Sequence, residues 1–530
     1  MQAGILAVAG ILSRIIGLLY NSPMTAIIGD EGNGYYELAY RAYTIVLLVS
    51  SYSIPSAISK VVAGYLAAGE YRNAHRIFKG ALYYVLIIGG AASLLVFFFA
   101  DKIVNLENSA RVLRFFAPTI FLSGILGVLR GYFQAHRTMA QTSVSQILEQ
   151  IMNALVSILL AFWLTGLVSL DDATGRSVNG AIGGAVGTGF GVIIGIFFMG
   201  GIYGLNKKFF RLRIEKDRHP EDLSYKVIFK MILMVVTPFI LSTCIYNLNT
   251  FINVTVFSYI MKLRELGEAE IALLMSAVGK ATKISNIPIA VSSAMSAAII
   301  PGIAGHFALK RPDLCRDKVA KAIRSTMFVA IPAAVGIGVL SRPIMLFLYP
   351  QRETLLLSAN LLIILSIAVV FYSLSTILNA VLQSIGRVNS PVVNAALALI
   401  IQTAVLVAGL IFTDIGTYLM AVSVLLFALL MCVFNGIAVR KHLSYEQEWD
   451  KTFMRPLVIS IVMGAVSFGT YHGLFYLINI NLIALVIAVT AGILVYFIIA
   501  VKWRVLGEAE LKWIPGGGKL TRLVNRINKG

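Results

Sequence analysis

Apolar residues run along this chain in long blocks separated by short polar stretches. Each block is close to the ~20 residues that a helix needs to cross the hydrocarbon core of a bilayer. The pattern predicts fourteen helices, over approximately 4–28, 38–67, 80–100, 112–133, 144–166, 180–205, 228–258, 271–305, 322–348, 355–383, 391–413, 416–439, 456–478 and 482–502. Most connections are brief. The longest internal one, from Asn206 to Val227, reads KKFFRLRIEKDRHPEDLSYK over its charged part and separates two halves.

Composition agrees with this reading. Hydrophobic residues make up 58% of the 530, charged residues 13%, and mean hydropathy is +0.84. A soluble domain carries about 25% charged residues, so the fold class is an all-α integral membrane protein. The formal net charge of +19 resembles a nucleic-acid binder only until the charges are located. Connections after even-numbered spans, with the C-terminal tail, hold 28 Lys and Arg, and those after odd-numbered spans hold six, while acidic residues divide twelve and twelve. The positive-inside rule counts Lys and Arg. It places the even side and both termini in the cytoplasm, and no nucleic acid is expected as a partner. The first apolar run has no basic region before it and carries Arg14 at its middle, unlike a cleavable signal.

Catalytic chemistry finds little support. Cys244, Cys315 and Cys432 form no CxxC pair, no histidine sits in HExxH, and GxxxxGK[ST] does not occur. No paired carboxylates mark an enzyme of glycan synthesis. The expectation is a transporter without a cofactor, driven by the membrane potential, an ion gradient or substrate supply.

What the connections leave behind is informative. Ten basic residues fall inside the predicted spans: Arg14, Arg41, Lys60, Arg114, Arg130, Lys230, Lys280, Lys283, Arg324 and Arg342. One acidic residue, Glu149, falls there with them. A cation at mid-bilayer costs about 2.5–3.5 kcal/mol on the insertion scale. Arg114, Arg130, Lys230, Arg324 and Arg342 lie near span ends, where long side chains reach the interface. Arg41 is near an outer end, and Arg14, Lys60, Lys280 and Lys283 lie deeper. Lys280 and Lys283 share a helix face, and Arg14 shares one with Ser13, Gly17 and Asn21. Structural pairing, for instance Arg14 with Glu149, is one reading. A water-filled cavity that receives an anion is the other. In the seventh span, Ser242, Asn249 and Asn253 fall on one face, suited to interhelical bonding or to sugar or amide recognition. The candidate substrate-binding residues are therefore Arg14, Arg41, Lys60, Lys280, Lys283, Asn249 and Asn253. The glycines of the sixth span, Gly180 to Gly195, read as a close-packing face.

Two segments recur across the halves. Ile54-Pro55-Ser56-Ala57-Ile58-Ser59 resembles Ile287-Pro288-Ile289-Ala290-Val291-Ser292, and Leu129 to Gln134 resembles Leu378 to Gln383. Each half holds six spans, so both begin on the same side, as in a parallel repeat with a substrate site expected between lobes. The expected organisation is an N-lobe 1–206, a cytoplasmic linker 207–227, a C-lobe 228–440, two additional helices in 441–503 and a basic cytoplasmic tail 504–530.

Ser13-Arg14-Ile15-Ile16-Gly17, Ile28-Gly29-Asp30-Glu31-Gly32, Ile54 to Lys60, Leu129 to Gln134 and Ser145-Gln146-Ile147-Leu148-Glu149-Gln150 occur in this order. Together they resemble the polysaccharide-biosynthesis branch of the multidrug/oligosaccharidyl-lipid/polysaccharide exporter superfamily, in particular Gram-positive MurJ-type lipid II flippases and the stage V sporulation protein B group. The resemblance implies two six-helix lobes plus two helices, alternating inward-open and outward-open states, and an undecaprenyl-pyrophosphate-linked peptidoglycan precursor as cargo. Arg14 matches the family's cavity arginine, and Lys283 stands where relatives carry a basic residue. Tyr20-Asn21-Ser22-Pro23 stands where relatives often have a second basic residue, and Asn249 and Asn253 lie in the span where Gram-negative relatives carry an arginine. The first expectation is thus a lipid II flippase with a lipid-linked pyrophosphate and membrane lipids as partners. The alternatives are a flippase of another lipid-linked oligosaccharide, such as a capsule or teichoic-acid unit, and a cation-coupled multidrug exporter.

Overall fold

The computed structural model describes residues 2–52, 54–136, 138–217, 222–503 and 505, and the side chains of residues 2–8, 11, 14, 52, 236, 238–246, 297, 298 and 301 lie outside that description. The basic tail expected over 504–530 falls outside it, apart from Val505. The helices are α1 (Gln2–Leu47), α2 (Ile54–Ala67), α3 (Tyr71–Ile103), α4 (Glu107–Ala135), α5 (Met139–Gly166), α6 (Ala173–Leu205), α7 (Lys207–Glu215), α8 (Tyr225–Leu263), α9 (Glu268–Ala308), α10 (Pro312–Val339), α11 (Ser341–Leu348), α12 (Leu355–Ser384), α13 (Asn389–Phe412), α14 (Tyr418–Leu443), α15 (Arg455–Ile478) and α16 (Asn481–Lys502). No strand occurs among the described residues. Every predicted span falls on one or two of these helices. Eleven described stretches are long and apolar enough to cross a membrane, the first of them, Ile15–Ala67, covering two predicted spans. With α8 and α9, of 39 and 41 residues, the set is consistent with fourteen crossings.

The 46 residues of α1 would reach about 70 Å at 1.5 Å per residue, more than twice the ~30 Å hydrocarbon core. The helix is broken at Gly29, with φ 71° and ψ 177°, a backbone region essentially reserved for glycine. Across that break the Thr25 hydroxyl donates to Asn33 Oδ1 at 3.4 Å. Met24 and Tyr36 both close on Gly184 of α6. The second arm therefore doubles back on the first with almost no connecting loop. This corrects the sequence-derived count of acidic residues in the helices. Asp30, Glu31 and Glu37 belong to the second arm, and Asp30 and Glu37 are buried. Acidic side chains at the start of a helix interact favourably with its dipole, so charge alone does not mark a loop there. A π-helical turn, Leu48–Tyr52, then leads into α2. Pro55 of α2 packs against Gly127 and Gly131 of α4.

The chain packs as two compact units, residues 1–276 and 277–530. The division into lobes at 207–227 rests on the sequence repeat, a different criterion. In the first unit the glycine face of α6 meets α5 closely: a Cβ at Gly187 would lie 2.4 Å from the Ser157 backbone nitrogen. The first unit also has two chemically distinct ends. At one end, connections after odd-numbered spans meet. Glu268 accepts from the backbone N–H of Glu107 at 2.8 Å, Lys262 donates to the Asn105 carbonyl at 3.0 Å, and Thr174 and Tyr35 both donate to Glu31 at 2.9 Å. At the other end, connections after even-numbered spans meet. Arg76 donates to Asp222 at 2.8 Å and to the Leu223 carbonyl at 3.0 Å, and the Arg72 N–H donates to Asp217 at 2.7 Å. The linker is thus tied down, and it contains the short helix α7.

In the second unit α10, α12 and α14 share an apolar core that includes Val319, Ile323, Met327, Val381 and Val439. The last two long helices are attached by polar bonds: Tyr496 donates to the Phe328 carbonyl at 2.9 Å and Asn481 to the Pro343 carbonyl at 3.1 Å.

Candidate functional site

The predicted site residues divide between the two units. Arg14, Arg41, Lys60, Asn249 and Asn253 belong to the first, and Lys280 and Lys283 to the second.

Arg14 lies on the first arm of α1, and its side chain is outside the described residues. Its suggested structural partner, Glu149, is engaged elsewhere. Arg130 of α4 donates to Glu149 of α5 at 2.7 Å and to Ser145 at 2.9 Å. The two side chains are only 13% and 21% exposed, so this is a partly buried, hydrogen-bonded ion pair. Arg130 was expected to reach the interface. It instead stays inside, because a carboxylate and a hydroxyl on α5 satisfy its fork.

Arg41 sits one helical turn from Glu37, with Nε 3.8 Å from the carboxylate and side-chain exposures of 13% and 5%. The sequence reading left Arg41 without an acidic neighbour because it placed Glu37 in a loop. The i, i+4 spacing of the pair was legible once that segment was taken as helix. Beside the pair, Tyr36 stacks on Tyr40 at 5.8 Å and Tyr43 on Phe116 at 4.8 Å. Lys60, one turn beyond Pro55 and Ser56 on α2, is exposed.

On α8, Asn249 and Asn253 are both buried. Asn253 Nδ2 donates to Asn249 Oδ1 at 3.1 Å. The carbonyl oxygen of Asn253 has no hydrogen-bond partner among the described residues, and a buried acceptor in that state is uncommon. The side chain of Ser242, expected on the same face, is outside the description.

On α9, Lys280 is almost fully enclosed, at 1% exposure. Its ammonium donates to Thr354 Oγ1 at 3.0 Å and lies 5.1 Å from the centre of the Tyr349 ring. A hydroxyl and an aromatic face are what a buried ammonium needs in place of water. Neither partner was visible in sequence, since Thr354 is 74 residues away. Lys283, one turn on, is half-buried. The structure thus encloses Lys280 and Arg41 among named partners, and leaves Lys60 exposed and Lys283 partly so. Among the described residues no group of three or more His, Cys, Asp or Glu is arranged to hold a metal.

The sequence reading missed a second feature of the first unit. Asn33 Nδ2 donates to Ser276 Oγ at 2.8 Å, and beside it a Cβ at Gly34 would fall 1.8 Å from the Ala272 carbonyl oxygen. The second arm of α1 and the start of α9 therefore touch backbone to backbone.

Comparison with known proteins adds four findings. A family model described as lipid II flippase MurJ matches residues 75–487. Lipid II flippase MurJ of Bacillus subtilis (strain 168) is 26% identical over 483 residues, 87% of this chain and 86% of that protein. Stage V sporulation protein B of the same organism is 23% identical over 543 residues, 97% of each. Among solved structures, a lipid II flippase MurJ in an inward closed conformation superposes with a TM-score of 0.69 at 17% identity, covering 94% of this chain and 98% of that one. That last likeness is one of fold.

Proposed function

The chain belongs to the lipid II flippase MurJ family, a multi-pass membrane transporter family and not one of enzymes, and from that premise we propose that its cargo is lipid II. As a member it moves a lipid-linked precursor across the bilayer. The finer reading is that the pyrophosphate and sugar headgroup travels through a water-filled cationic cavity by alternating access, while the polyprenyl tail stays in lipid. The observation that carries it is the family match over most of the chain, joined to cations on helices that cross the membrane.

The chemistry fits the residues. A pyrophosphate is a polyanion, and charge-assisted bonds from Arg and Lys to its oxygens are strong where the dielectric is low. Arg14, Lys60 and Lys283 are assigned to the pyrophosphate. Arg41 and Lys280, each held by neighbours, set the local potential and position the helices that carry the others. Asn253, with its spare carbonyl oxygen, and Asn249 are assigned to sugar or amide groups. The membrane potential is a sufficient source of energy, at about 2.3 kcal/mol per charge per 100 mV. An uncoupler that left flipping in vesicles untouched would exclude both this and a proton gradient.

The alignment with stage V sporulation protein B spans more of the chain than that with MurJ. It favours one second reading, in which the same transport serves sporulation. Complementation separates the readings and tests the site. The intact chain is expected to restore growth to a cell depleted of its lipid II flippase, and Arg14→Ala or Lys283→Ala at normal expression is expected not to. Restoration by both variants would remove these residues from the site. Failure of the intact chain, with restored spore formation in a sporulation mutant, would move the cargo assignment to the second reading.

A further inference from the structure

The connection between the sixth and seventh spans contains a feature that transport does not explain. In α7, Phe210 is turned inward and buried, with ring centres 5.2 Å from Tyr132, 5.1 Å from His136 and 5.6 Å from Tyr203. Burial holds the His136 imidazole below its ordinary pKa, so this packing face is neutral and apolar. The opposite side is unlike an ordinary solvated helix. Phe209 and Leu212, three apart on one face of α7, are 47% and 48% exposed, and Leu205, the last residue of α6, is 87% exposed. The same short segment carries Lys207, Lys208, Arg211, Arg213 and Lys216, all exposed, against the single acidic residue Glu215. Arg211 is bridged to Glu215 at 2.8 Å, and the Arg213 guanidinium lies over Phe209 at 4.5 Å.

The position of this face is fixed. Asn206 closes α6 and opens α7, so α7 begins where a membrane-spanning helix leaves the hydrocarbon. Just past its far end, Asp217 accepts from the backbone N–H of Arg72 at 2.7 Å. Exposed large apolar side chains on a short, strongly cationic amphipathic helix at the end of a spanning helix match the chemistry of an interface rich in anionic lipid. We propose that α7, with Leu205 just before it, is a docking surface for anionic phospholipid: Leu205, Phe209 and Leu212 enter the acyl boundary, and Lys207, Lys208 and Lys216 meet headgroup phosphates. The charge complementarity selects this occupant over a zwitterionic leaflet, and the proposal does not depend on which lipid-linked cargo is moved.

The test uses the full-length protein in lipid nanodiscs, with amide exchange read over residues 205–216. Exchange is expected to be several-fold slower in phosphatidylcholine containing one-third phosphatidylglycerol than in phosphatidylcholine alone. That difference is expected to shrink in high salt, because charges at the interface are screened. Each lysine near an anionic surface contributes about fivefold in affinity, so the combined Lys207→Gln, Lys208→Gln, Lys216→Gln variant is expected to lose the difference. Phe209→Ser with Leu212→Ser is expected to exchange faster in both lipids. Thermal unfolding of the variants confirms that the rest of the molecule is intact. Equal exchange of the wild-type segment in the two lipids would overturn the proposal, and that is also what a protein partner or a second copy covering the face would produce. A difference that survives the triple substitution would overturn it as well.

Discussion

The Arg130–Glu149 bridge changes what a single substitution at Arg14 reports. If Arg14 had been the partner of Glu149, its removal would strand a buried carboxylate. With Glu149 already paired with Arg130, Arg14→Ala is expected to leave thermal stability close to wild type while transport is lost. Arg14→Lys is expected to recover only part of that transport, because an ammonium does not reproduce the bidentate fork of a guanidinium. Arg130→Met carries the opposite forecast. It strands Glu149 and is expected to destabilise by about 3 kcal/mol, and a second change, Glu149→Leu, is expected to restore most of that loss. Thermal unfolding in detergent reads both, and a stable Arg130→Met protein would contradict the assignment. At this scale sequence legibility was uneven. Spacing along one helix placed Lys280 and Lys283 on a common face, whereas the Glu37–Arg41 pair escaped because its carboxylate was read as part of a loop. Contacts such as Lys280 with Thr354 depend on which helices become neighbours, and no local pattern encodes that.

Among the elements, the hairpin within α1 is where sequence reasoning and structure part most clearly. Hydropathy located both arms, yet the charges of Asp30, Glu31 and Glu37 gave the impression of a loop. The reversal instead takes place at Gly29, in a conformation that costs other residues about 1–3 kcal/mol. Gly29→Ala is therefore expected to lower stability by that amount, measured as a shift in the unfolding midpoint. Gly34→Ala is a stricter test. Its methyl group would collide with the Ala272 backbone, and overpacking of this kind costs about 1–3 kcal/mol. The start of α9 is then expected to separate from α1, and a cysteine placed at Ser276 to react faster with a thiol reagent in the Gly34→Ala background. An unchanged rate would show that the two helices do not need this approach. The π-helical turn before Pro55 and the helix in the connection at 207–215 were not legible as structure, since each depends on packing partners elsewhere in the first unit.

Over the whole molecule, the alternation of basic connections was the most productive reading. It requires connections after odd-numbered spans to share one end and those after even-numbered spans the other. The first unit shows that segregation, with Glu31, Asn105, Thr174 and Glu268 meeting at one end and Arg72, Arg76, Asp217 and Asp222 at the other. The orientation proposed from the positive-inside rule makes a direct forecast. A cysteine at Asp171, exposed before α6, is expected to react with an impermeant reagent in intact cells, and one at Ser224 only after permeabilisation. The reverse pattern would invert the topology. The central claim is that this chain carries lipid II outward, and it is tested most directly by measuring lipid II exposed on the outer leaflet after the protein is depleted from a cell with no other flippase. The account predicts that exposure falls while lipid II accumulates on the inner leaflet. Undiminished exposure at full depletion would contradict it.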